Sequence, residues 1–316
     1  MLQQALNRHS QIVIPPETKF FYYLVGQSRR EQLRQIERLR RDLQIELPVP
    51  GGRIHTLEQA RNYYDLMAET YCRRIKRTPS YFGDKTPEHT SRIPIIRKTF
   101  PDAKIIFLYR DGRDVALSLS KVPWLNCDVN VGIWIWQRYH WMIQRAMQDR
   151  NLDFHVVRYE DIVSHPQREL SLLIEFLGLP YEQAVGDGCG NREGISQREL
   201  PWKEMALERI VDTRKDVWKH ELTRMQLHGT ESLAGSSLRV LGYELVTEPI
   251  SPWSLVIHAK LAMGLLRCGA SLPVSCIVNE MSADFNLSMS RLCAWGPVRA
   301  WTHRQLRLSP TSPSNG

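Results

Sequence analysis

The residues Tyr109-Arg110-Asp111-Gly112-Arg113-Asp114 stand where an apolar run, Ile105-Ile106-Phe107-Leu108, gives way to a helical pattern carrying Ser118. A strand running into a helix start is a natural anion site. The first helical N–H groups point beyond the carboxyl end of the strand, a guanidinium grips a phosphate through two bonds, and a serine hydroxyl adds a donor. Arg110 and Ser118 are therefore candidate phosphate ligands, although Arg110 could equally pair with Asp111 or Asp114. Lys85 precedes Thr86-Pro87, a pair suited to an N-cap and first helical turn, so its ammonium is held near a helix start and favours an anion. Glu17 follows the short apolar run Ile12 to Ile14, which puts a carboxylate at a sheet edge; a loop ion pair with Lys19 explains it equally well.

The elements that must position these groups are legible as period and punctuation. Apolar strands are predicted at Ile12 to Ile14, Ala103 to Tyr109 and Phe154 to Tyr159, with helices over 28–43, 57–77, 90–99, 112–121, 130–149, 166–177 and 203–225. Strands alternating with helices imply an α/β domain with a parallel sheet. In the helix over 166–177, Ser164 can cap, Pro166 suits the first turn, Leu170, Leu173, Ile174 and Leu177 share a face, and Gly178 terminates it. Leu33, Ile36, Leu39 and Leu43 form a stripe amid many arginines, which reads as a surface helix rather than a nucleic-acid clamp. Gly186, Gly188 and Gly190 follow a helix rather than a strand, which excludes a dinucleotide fingerprint and leaves a linker turn. His89 falls inside the helix that starts near Pro87, where solvent exposure explains it, and is the poorer candidate base.

Composition narrows the class. The 316 residues carry 42 basic and 34 acidic side chains, a net charge of +8, and 42% hydrophobic residues, as in a globular enzyme with anionic ligands. Residues 249–316 hold six basic side chains against Glu280 and Asp284, so half of the excess lies there. The rest is mixed in sign along helices, which argues against nucleic-acid binding. The six cysteines show neither a disulfide framework nor zinc-ligand spacing. No apolar stretch reaches the length of about 18 residues that a membrane span needs, and no signal peptide opens the chain, so a cytoplasmic location is the default, with the compartment left open if a native N-terminal anchor is missing. A domain over 1–248 is expected to be followed by a basic extension over 249–316. There, Trp253 to Arg267 could lie on a membrane surface but more simply docks onto the domain.

The run Phe107-Leu108-Tyr109-Arg110-Asp111-Gly112-Arg113-Asp114-Val115-Ala116-Leu117-Ser118 resembles the 3′-phosphate-binding motif of sulfotransferases that use 3′-phosphoadenosine-5′-phosphosulfate (PAPS). Pro15-Pro16-Glu17-Thr18-Lys19-Phe20, Gly83-Asp84-Lys85-Thr86-Pro87 and Val157-Arg158-Tyr159-Glu160-Asp161 fall in the same family's order, covering roughly residues 1–245. The resemblance implies that Arg110 and Ser118 hold the 3′-phosphate. It also implies that Glu17 is the base, as in the protein-tyrosine branch, that Lys85 approaches the sulfuryl group, and that Tyr159, Glu160 and Asp161 are structural. Ser196, Arg198 and Lys203 lie in a polar loop where relatives close over the nucleotide; solvent-exposed loop polarity explains them equally well. PAPS is the implied co-substrate, and the reaction calls for no metal. The acceptor is a hydroxyl on a carbohydrate, lipid, peptide tyrosine or small alcohol.

One family element is not in this sequence. A strand running into a Gly-rich, Ser/Thr-containing loop that cradles the 5′-phosphosulfate should precede the helix that Met1 to His9 resembles. The expectation is a P-loop-like α/β sheet flanked by helices and lacking its first strand. Two readings follow: an active sulfotransferase whose upstream strand and loop are absent here, or a degenerate, non-catalytic nucleotide-binding or partner-binding member of the same fold. A kinase or nucleotidase is disfavoured because no G-x-x-x-x-G-K-[ST] loop occurs.

Overall fold

The computed structural model describes residues 1–122, 125, 127–186, 194–195, 214–247 and 263–264. In chain order these form α1 (Leu2–Leu6), β1 (Ile12–Val13), α2 (Phe20–Tyr23), α3 (Arg29–Leu43), α4 (Leu57–Ile75) and β2 (Tyr81–Phe82). A 3-10 turn over Pro87–Arg92 leads into α5 (Ile93–Thr99), β3 (Ile105–Tyr109), α6 (Gly112–Ser120), α7 (Val129–Ala146) and β4 (Phe154–Arg158). Then come α8 (Tyr159–Ser164), α9 (Pro166–Phe176), α10 (Gln183–Gly186), α11 (Trp218–Glu221) and α12 (Arg224–Val240).

The strands pair in parallel, β1 with β2 and β3 with β4, the second pair in register from Ile105 opposite Phe154 to Tyr109 opposite Arg158. Helical crossovers join the strands of each pair, as parallel pairing requires. Ile12, Ile14, Val157, Ile162 and Leu173 are buried in one cluster, with Tyr81 and Ile106 packed against it, so both strand pairs share a core. A second core joins Phe20 and Leu24 to Ile36 and Leu39 of α3 and to Met67 and Tyr71 of α4. This is the α/β architecture of parallel strands flanked by helices.

Two glycines fix how closely α6 and α7 cross. A Cβ at Gly112 would lie 2.7 Å from the Trp136 ring, and one at Gly132 would lie 2.8 Å from the backbone of Ala116. Neither position tolerates a side chain without the helices moving apart, so these residues hold the first turn of α6 where β3 ends.

Several expected boundaries are corrected. Of the helix expected over 203–225, residues 203–213 lie outside the described residues. Thr223 is extended, and its hydroxyl accepts from the Gln226 N–H while Gln226 reciprocates, a capping box that separates α11 from α12. Ser164 does not cap α9; it ends α8, and His165 precedes α9 without a side-chain cap. Tyr159 is helical rather than extended because α8 follows β4 directly. The helix expected over 90–99 is α only from Ile93, with Pro94 in its first turn, where a missing N–H costs nothing. Leu33 is 39% exposed, and its place on the buried stripe is taken by Gln32, whose amide donates to the carbonyls of Leu24 and Ile54. Gly178 ends α9 with φ of +71°, as expected.

No helix among the described residues is long and apolar enough to cross a membrane. Of residues 249–316 only 263–264 are described. Gly264 is buried so near α7 that a Cβ there would lie 2.6 Å from Val131 Cγ2.

Candidate active site

The predicted site residues follow the carboxyl ends of three strands: Glu17 after β1, Lys85 after β2, Arg110 immediately after β3. In open α/β sheets this is where ligands bind. Around Glu17 the backbone is held from several directions. Arg38 Nη2 donates to the Glu17 carbonyl at 3.1 Å, and Gln35 Nε2 to the Thr18 carbonyl at 2.6 Å. The Thr18 hydroxyl bonds Asp84, and the Thr86 hydroxyl donates to the other Asp84 oxygen at 2.8 Å while accepting the Lys19 N–H at 3.2 Å. Asp84 thus clamps the two loops together. The clamp places Lys85 Nζ on Glu17 Oε1, with the carboxylate 12% and the ammonium 41% exposed.

Glu17 is ion-paired, but not to Lys19: its cation is Lys85, 68 residues away, and Lys19 bridges Glu88 at 2.5 Å instead. Lys19 sits at φ of +51° before α2, which turns its side chain toward the Pro87–Arg92 turn. His89 is not exposed as expected: it is 7% exposed, its Nε2 accepts the Phe21 N–H at 3.2 Å, and Nδ1 lies 3.8 Å from Asp84. Burial lowers its pKa, against the opposing pull of Asp84 and other nearby carboxylates, and an Nε2 that accepts a backbone N–H cannot also collect a substrate proton.

The second station is the β3–α6 junction. Arg110 Nη2 donates to the Arg214 carbonyl at 2.5 Å and lies 3.6 Å from Asp114, while the guanidinium covers the Tyr159 ring at 4.5 Å. Its buried Nε has no hydrogen-bond partner among the described residues. Burial raises the Asp114 pKa; N–H bonds from Trp218 at 2.9 Å and Asp216 at 3.1 Å, together with Arg110, oppose the shift. Ser118 is exposed on α6, two turns beyond the junction. Ser196, Arg198 and Lys203 lie outside the described residues.

The neighbouring arginine has a different place. Arg113 is 2% exposed, holds both Asp111 oxygens at 3.0 and 2.8 Å, and reaches Glu231 at 2.6 Å and the Glu244 carbonyl at 2.9 Å. Its guanidinium stacks 3.7 Å over Trp218. Glu160 is also internal, accepting the Asp111 N–H at 2.8 Å and the Tyr243 hydroxyl at 3.0 Å. Sequence reasoning missed Asp84, Gln35 and Arg38 as organisers of the Glu17 loop. Arg38 carried a signal, its place on the polar face of a helix whose other face is apolar, but nothing local tied it to residue 17.

A groove of about 610 Å³ opens beside Glu17, between the Pro16–Lys19 loop and α3. No group of three or more side chains that could hold a metal ion occurs among the described residues.

The comparisons agree with this architecture. The profile of the Sulfotransferase family matches residues 1–183. The nodulation protein NoeE of Sinorhizobium fredii is 25% identical over 268 residues, covering 77% of this chain and 63% of its own length. A putative protein-tyrosine sulfotransferase of Caenorhabditis elegans is 26% identical over 37% of this chain, and protein-tyrosine sulfotransferase 1 of Danio rerio 30% over 34%; these alignments cover 48% and 31% of those proteins. The chain thus spans less than two thirds of the length of these curated relatives. In fold it is similar to the sulfotransferase domain from the curacin biosynthetic pathway, with a TM-score of 0.57, 20% identity, and coverage of 78% of this chain and 93% of that domain. The sulfotransferase domain of the Synechococcus olefin synthase gives a TM-score of 0.54 at 19% identity, covering 78% of this chain and 90% of that domain. With the family's profile matched across more than half its length, this chain belongs to the sulfotransferase family.

Proposed function

We propose that the protein transfers a sulfuryl group from PAPS to an acceptor hydroxyl, with Glu17 as general base and Lys85 as the cation that meets the sulfuryl oxygens. The observation that carries this reading is the Glu17–Lys85 pair, clamped by Asp84 beyond the ends of two parallel strands. In the reaction the acceptor oxygen attacks sulfur as its proton passes to Glu17. The bond from sulfur to the 5′-phosphate oxygen breaks, and a sulfate ester and 3′,5′-ADP leave. Lys85 bound to Glu17 in the free protein shields the carboxylate. Turning toward the sulfuryl group, it would free the base and offset charge building on the leaving oxygens. Arg110, whose Nε has no partner among the described residues, and the exposed Ser118 hydroxyl are proposed to hold the 3′-phosphate, and Ser196 and Lys203 to close over the nucleotide. Two relatives are named for protein tyrosine, which makes a phenolic hydroxyl the first acceptor to assay.

The test is transfer of labelled sulfate from PAPS to a phenol by the 316-residue protein. The reading expects turnover that falls at least about 100-fold in Glu17→Gln, the usual loss on removing a general base, with 3′,5′-ADP binding retained. Nucleotide binding without transfer to any phenol, alcohol or sugar would replace it with the non-catalytic alternative.

A further inference from the structure

The arginines of α3 do more than cover a surface helix. Gln32, Gln35, Ile36, Leu39 and Leu43 turn inward, and this leaves Arg34, Arg38 and Arg41 at a spacing of four and three residues along one side. All three line the groove that opens beside Glu17, whose opposite wall is Pro16, Glu17 and Tyr23. Four cations, Lys19 and these arginines, line it against three carboxylates, Glu17, Glu31 and Asp42.

The carboxylates are already committed. Glu17 faces Lys85, Glu31 closes the Ser28 capping box, and Asp42 takes Arg38 at 3.1 Å. Lys19 is spent on Glu88, and Arg38 also anchors the Glu17 carbonyl. Among the described residues Arg34 has no ion pair, and Arg41, about half exposed, has one ion pair, with Asp42 at 3.7 Å. Two guanidiniums therefore face the groove with donors to spare, within the same cavity as the proposed base. The volume is that of a site for one small molecule or one terminal unit.

We propose that this groove is an acceptor subsite selecting hydroxyl compounds that carry an anionic group, a carboxylate, sulfate or phosphate, which Arg34 and Arg41 bind while the hydroxyl meets Glu17. The inference rests on the sulfuryl-transfer reading of Glu17. Guanidinium forks match the oxygens of such groups, and the arrangement places the anion on α3 and the reacting hydroxyl on the β1 loop.

The test compares 4-hydroxyphenylacetate with its methyl ester, which has the same phenol and no charge. The acid should show the higher kcat/KM, with the difference in KM, and the advantage should shrink as salt is added. Arg34→Glu with Arg41→Glu should lower the acid-to-ester ratio by about fivefold or more, the order expected for two exposed charge contacts. Arg34→Lys with Arg41→Lys should keep most of it. 4-Hydroxybenzylphosphonate and 4-hydroxybenzenesulfonate show which anion is preferred. An ester as good as all three acids, or a ratio unmoved by the charge reversal, overturns the proposal while leaving sulfuryl transfer standing. If no acceptor is turned over, calorimetric binding of 4-hydroxyphenylacetate decides: binding lost on charge reversal supports the subsite although the transfer reading has failed, and no binding overturns it.

Discussion

Replacing Arg113 should cost the protein far more stability than replacing Arg110, three residues earlier in the same run. The Arg113 guanidinium makes four hydrogen bonds, two to Asp111, one to Glu231 and one to the Glu244 carbonyl, with all three charged side chains nearly fully buried. Arg113→Ala leaves two buried carboxylates without their cation, for which the usual loss is about 3–5 kcal/mol. The lower end applies, because both retain donors. Asp111 keeps the Arg113 N–H, and Glu231 keeps the N–H groups of Val246 and Thr247 and the Thr247 hydroxyl. A loss of about 3 kcal/mol corresponds to roughly 6–12 °C in Tm for a domain of this size. Urea unfolding followed by tryptophan fluorescence, with calorimetry as a second probe, measures it. An Arg113→Ala protein within about 0.5 kcal/mol of the parent would refute the assignment of this arginine to the core.

Two further outcomes follow from the same geometry. Arg110→Ala should change unfolding less than Arg113→Ala, because it loses one hydrogen bond to the Arg214 carbonyl, the contact with the Tyr159 ring and a long 3.6 Å contact with Asp114, and leaves no buried carboxylate stripped of all its donors. It should weaken 3′,5′-ADP about tenfold or more, the scale of one charge-assisted hydrogen bond, with Ser118→Ala smaller, both read by equilibrium titration. Stability should fall in acid. His140 is buried and stacked on Trp136, and desolvation lowers its pKa from 6.5 to about 4. The folded state therefore excludes the proton that the unfolded chain accepts. The stability is intact above pH 6.5 and is lost as pH falls toward about 4, up to about 3 kcal/mol, with His89 adding in the same direction. Urea midpoints across this range should show a shallower slope in His140→Gln; an unchanged slope counts against it.

What the amino-acid sequence determined by itself was what contiguous residues decide. Apolar runs placed three of the four strands among the described residues, and helical patterns placed α3, α4, α6, α7 and α9. The chain order of four short motifs pointed to the family, because each motif joins a strand end to the turn that follows it. The two-residue β2 was not legible, since so short a strand exists only through its pairing with β1. The start of α12 is set by the Thr223–Gln226 capping box, a signal that the helical pattern expected over 203–225 runs straight through.

Tertiary structure decided which charged group meets which. Glu17 had two lysines to choose from, and the nearer in sequence lost, because the αL turn at Lys19 sends that side chain to Glu88 while the Asp84 clamp delivers Lys85. Arg110 and Arg113 are equivalent in composition. One lies over the Tyr159 ring and donates to the Arg214 carbonyl, and the other is locked into the core because Glu231, 118 residues away, stands beside it. The arginine stripe of α3 read as an ordinary solvated face until the fold laid the Glu17 loop across from it. Ion-pair choice depends on separations of a few ångströms between distant segments, and local pattern carries no information about those distances.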